Sequence, residues 1–163
     1  APQILRDDEM ISNFDFNDSL YDKDGFNLWR SRFGLMLKPS DDLKLFYQFQ
    51  DSRISDDSTT GSKAAYEDWA ETRQLWVEGQ TAKLHWDAIG LSSAEVKFGR
   101  QELSYGSQRL IGVVNWSNIG QTFDAGKVTL KSNDHHWTVD IFGGGKTLVK
   151  SPREQNDFFD GGE

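Results

Sequence analysis

Arg30 and Arg32 stand two residues apart, and Trp29, Phe33, Leu35 and Leu37 alternate with them, with Ser31 between. An extended chain throws successive side chains to opposite faces. A strand over Phe26 to Leu37 therefore puts both guanidiniums on one side and the large apolar groups on the other. A helix over the same residues mixes the two sets without a clean stripe. The same parity places Lys44, Lys97 and Lys127 opposite apolar rows: Leu43, Leu45, Tyr47 and Phe49; Ala94, Val96 and Phe98; Gly126, Val128 and Leu130. A guanidinium holds a carboxylate through two parallel hydrogen bonds, and an ammonium acts as a point charge. Such a set binds anions reversibly.

Glu78, Glu95 and Asp140 fall on the same face as these bases. Two readings stay open: the bases meet an anionic solute, or they pair with these acids and satisfy a polar wall. Other constellations are weaker. Asp15, Asn17, Asp18, Asp22 and Asp24 precede Gly25 without the spacing of a calcium loop, and a solvated acidic loop is the reading preferred. His85, His135 and His136 lie in connections without a ligand set, so no metal is expected. Glu67, Asp68 and Glu71 include carboxylates that could act on a sugar, but nothing fixes their separation. Gly143-Gly144-Gly145-Lys146 lacks the phosphate-loop spacing. No enzyme and no cofactor is expected. A net charge of −8 argues against a nucleic-acid partner.

The elements that position these residues are short alternating strands. Beyond Phe26 to Leu37 they are Leu43 to Gln50, Thr72 to Gln80, Ala94 to Arg100, Phe123 to Lys131 and Trp137 to Phe142, with a weaker candidate from Ile4 to Phe14. That makes about seven. Lys38 to Asp42 and Ser132 to His135 have tight-turn composition. Long loops are expected near 16–25, 52–68, 104–120 and 145–162, with 81–93 a connection of uncertain form. Short turns on one rim and long loops on the other are the pattern of outer-membrane barrels. Trp29, Tyr47, Trp86 and Trp137 are expected near strand ends, as interfacial aromatics.

Charged residues make up 27% of the chain, yet aromatics reach 13%, which excludes general disorder. No apolar run approaches the roughly 20 residues of a membrane helix, whereas a barrel strand needs only about 9–11. The expectation is an all-β chain: an antiparallel transmembrane β-barrel of up-and-down meander type, with residues 1–163 one barrel segment. The apolar face would meet outer-membrane lipid. Two further readings compete. One is a soluble carbohydrate-binding β-sandwich. The other is a structural barrel that shelters a partner protein.

Phe98-Gly99-Arg100-Gln101-Glu102-Leu103-Ser104-Tyr105-Gly106 is followed by Gln108-Arg109-Leu110-Ile111-Gly112, Asn115-Trp116-Ser117-Asn118 and Gln121-Thr122-Phe123-Asp124-Ala125. This run resembles the alginate export family of outer-membrane barrels, as do Arg30-Ser31-Arg32-Phe33-Gly34-Leu35 upstream, Lys38-Pro39-Ser40 and Phe49-Gln50-Asp51-Ser52-Arg53. The resemblance covers roughly Ile4 to Phe142. It implies a large single-chain barrel of which this chain is the N-terminal portion. It also implies a porin-like channel or exporter in the bacterial outer membrane, passing anionic solutes such as the acidic polysaccharide alginate. Arg100 and Arg109 join Arg30, Arg32, Lys44, Lys97 and Lys127 as candidate pore-lining, anion-binding residues, the alternative being that they tie the loop to the wall.

Overall fold

In the computed structural model, residues 3–12, 23–55, 66–81, 90–132, 136–150, 154 and 156–159 are described. Among these described residues seven strands form one antiparallel sheet: β1 Gln3–Ser12, β2 Lys23–Ser40, β3 Leu43–Ser55, β4 Asp68–Thr81, β5 Leu91–Gln101, β6 Phe123–Ser132 and β7 Thr138–Lys146. Each pairs with the next in sequence, so the order β1 to β7 is an up-and-down meander with β1 and β7 at its edges. The described residues make an open wall, a segment of a barrel.

Register aligns the apolar rows into one band. Leu35 faces Tyr47 and Leu37 faces Leu45; Leu45 faces Val77 and Tyr47 faces Leu75; Val77 faces Phe98. The band continues through Val96 opposite Val128 and Val128 opposite Ile141. Its side chains are open: Phe33 is 53% exposed, Leu35 57%, Val96 53% and Ile141 60%. On the other face Arg30 and Arg32 are only 4% and 5% exposed. Among the described residues six apolar and nineteen polar side chains are buried. This partition is inverted relative to a water-soluble domain. The described residues hold one sheet, and no second layer covers the band as a sandwich requires. Hydrocarbon is the solvent that suits such a band.

Several strands outrun the alternating stretches read from the sequence. β2 already runs from Lys23, and β3 continues to Ser55, into the stretch expected as a loop. The reason is backbone pairing that persists beyond the apolar band, as in Ser12 with Lys23 and Asn27 with Ser55. The acidic cluster at Asp15 to Asp22, His85 and Trp86 lie outside the described residues, as does most of the loop expected at 52–68. Tyr47 does not stand at a strand end. It is in the body of β3 opposite Leu35, inside the apolar band.

Candidate functional site: the polar face and the loop that crosses it

The chain from Glu102 to Thr122 joins β5 to β6 and lies against the polar face. It is held together internally, with the Gln121 amide donating to the Val113 carbonyl at 2.8 Å and the Tyr105 amide to the Ile111 carbonyl at 3.1 Å. Leu103, Val113 and Ile119 of this loop are buried, as is Leu28 on the wall. From its roots the loop reaches across β4 and β3 to β2, roughly 14 Å at one strand spacing each.

The wall holds it by side chains that donate to loop carbonyls. Arg30 Nη1 donates to Ser117 O at 2.6 Å and to Asn115 O at 3.2 Å. Gln50 Nε2 donates to Ile119 O at 2.8 Å, and Ser52 Oγ to Asn118 O at 2.9 Å. Arg32 donates through Nε to Gln50 Oε1 at 2.6 Å and through Nη1 to Asn115 Oδ1 at 3.3 Å. Arg73 was not among the sequence candidates. It donates to Ile119 O at 2.8 Å and makes an ion pair with Glu102 at 2.8 Å.

Gly120 sits where Arg32 and Arg73 converge. A Cβ there would fall 2.8 Å from both Arg73 Nη atoms and 3.1 Å from Arg32 Nη2, and the backbone is left-handed at φ +77°. Only glycine brings the loop so close without strain. Of the three arginines only Arg73 is ion-paired among the described residues, to Glu102. Arg30 Nε and Arg32 Nη2 are buried without a hydrogen-bond partner there. This spot is locally rich in positive charge.

The lysines lie in a different environment. Lys44 and Lys97 flank Glu78, each at 2.8 Å, and Lys97 also lies 4.0 Å over the Trp76 ring. Lys127 is 3.8 Å from Asp140, and Lys131, another base absent from the sequence candidates, is 2.5 Å from Glu95. Each of these four lysines thus has an acid beside it.

Arg100 is fully buried. It forks onto Asp124 at 2.8 and 3.0 Å, reaches Glu71 at 3.1 Å and donates to the carbonyls of Asn156 and Asp157 at 3.2 and 2.6 Å. Phe158 covers its guanidinium at 4.0 Å. Strict alternation would put Arg100 beside Phe98 on the apolar face. Gly99, at φ +122°, lies so near β4 that a Cβ would meet Leu75 O at 2.3 Å. The parity breaks there, and Arg100 lines a small cavity on the loop side with Gln50, Arg73 and Gly120. Arg109 is exposed on the loop. The seven sequence candidates are thus dispersed. Arg30 and Arg32 meet at the loop, Arg100 locks the rim, and the lysines hold the wall's acids.

Tyr105, at the loop root, donates to Asp140 Oδ2 at 2.9 Å and stacks on Phe142 at 5.1 Å. Burial, and then that hydrogen bond, push its phenol up to about 12. Among the described residues no group of His, Asp and Glu is placed to hold a metal ion.

A family model described as alginate export matches residues 7–143. No curated protein and no solved structure matches the chain.

Proposed function

The chain belongs to the alginate export family, a family of outer-membrane β-barrels, and from that premise we propose that it forms part of the wall of a porin-like channel that passes anionic solutes, acidic polysaccharide among them. The observation that carries this reading is the uneven charge of the polar face. Of Arg30, Arg32 and Arg73, only Arg73 has an ion-paired carboxylate among the described residues, that of Glu102, whereas Lys44, Lys97, Lys127 and Lys131 each have an acid at hand. A net positive constriction raises the local concentration of anions and disfavours cations. Arg109, exposed on the same loop, adds to that field. The loop narrows the passage on the side where the arginines gather. Solute carboxylates would meet the field of the trio and of Arg109. Lys44, Lys97 and Lys127 contribute a weaker, largely compensated field.

Reversal potentials of the full-length channel in planar bilayers under a chloride salt gradient test this. The expected result is anion preference, reduced when Arg32 or Arg73 is replaced by Gln. A wild-type channel without anion preference would sink the charge argument.

A further inference from the structure

Trp116 and Leu110 are 88% and 96% exposed, the most open large apolar side chains among the described residues. Both belong to the loop, on the polar side of the wall, so lipid is not what covers them. The backbone under the indole is fixed: Arg30 holds the carbonyls of Asn115 and Ser117 on either side of it, and the Ser117 amide donates to Val114 O at 3.0 Å. The ordering cost of presenting this ring is met before any ligand arrives. Beside it opens a cleft of about 350 Å³, lined by Gly106, Ser107, Gln108, Val114 and Trp116. That volume lies within the range of small-ligand clefts. Its lining couples one aromatic face with a hydroxyl and an amide.

We propose that Trp116 is a stacking platform for pyranose rings of a passing polysaccharide, with Ser107 and Gln108 taking ring hydroxyls; this rests on the channel reading above. The electron-rich face of an indole attracts the slightly positive C–H face of a sugar ring. A protein partner fits less well. A stable interface needs about 800 Å² per side, and two side chains of this size supply a few hundred at most. A single platform is also weak enough to release its ring, as passage demands.

The test is single-channel recording of the full-length protein, with a uronate hexamer and a neutral glucan hexamer as blockers and chloride as carrier. Trp116→Ala is expected to shorten blockades by both sugars about three- to tenfold, the factor of one aromatic contact. Trp116→Tyr is expected to retain most of the residence time. Blockades of unchanged length in Trp116→Ala would overturn the platform while leaving the channel reading intact. So would loss of the folded barrel in that variant, which would place the indole in packing against other parts of the protein. A wild-type channel blocked by neither sugar would overturn platform and polysaccharide reading together.

Discussion

Arg100 shows how a motif residue can serve the fold. Its guanidinium is fully enclosed between Asp124, Glu71 and three backbone carbonyls. Removing one member of such a buried set strands the others, at a cost of about 3–5 kcal/mol. Arg100→Met is therefore expected to lower the unfolding free energy of the detergent-folded barrel by that margin, read from urea unfolding, and an unchanged urea midpoint would contradict the assignment. Tyr105 offers a pH-dependent counterpart. Its phenol titrates at about 12, above the ordinary 10, so the bond to Asp140 is complete below pH 10. The stability it contributes is lost as pH rises through 12. In a near-ultraviolet titration of phenolate formation, Tyr105→Phe should remove a step at the alkaline end. An alkaline end of the curve unchanged by Tyr105→Phe would refute it.

At the scale of the strand, alternation reports two solvents, and each regular stretch was legible for that reason. Val96 lies in the apolar band, and the adjacent Lys97 faces Glu78. Val96→Lys should cost about 2–4 kcal/mol near the bilayer midplane. Lys97→Ala should cost under about 1 kcal/mol, because the pair is partly hydrated and Glu78 keeps Lys44. Urea midpoints of the two variants decide the point, and equal losses would mean that the faces are wrongly assigned. Legibility failed where the strands are irregular. β4 shifts register as Gln48 pairs with Gln74 and Phe49 with Thr72, skipping Arg73. Alternation from Leu75 would send Arg73 into lipid, whereas the bulge turns it to the loop. The backbone at Gly99 does the same for Arg100.

For the whole molecule, the open meander and its two faces follow from residue types that repeat along the chain. The loop's path does not. What fixes it are the carbonyls of Asn115, Ser117, Asn118 and Ile119, and a carbonyl carries no side-chain signature. The sequence could therefore mark Arg30 and Arg32 as facing away from the apolar side, but not say what they would touch. Glycine at 120 is the one trace, intelligible only once the arginines around it are seen.

Contacts that join Arg30 to Ser117 span 87 residues of chain, while each strand of the meander pairs with its neighbour in sequence. Distant contacts form late, because a long stretch must first be brought together. The strands from β2 to β6 would thus zip up before the crossing segment has anywhere to settle. A nascent pore should pass through an unobstructed, leaky stage, with its narrowing fitted last.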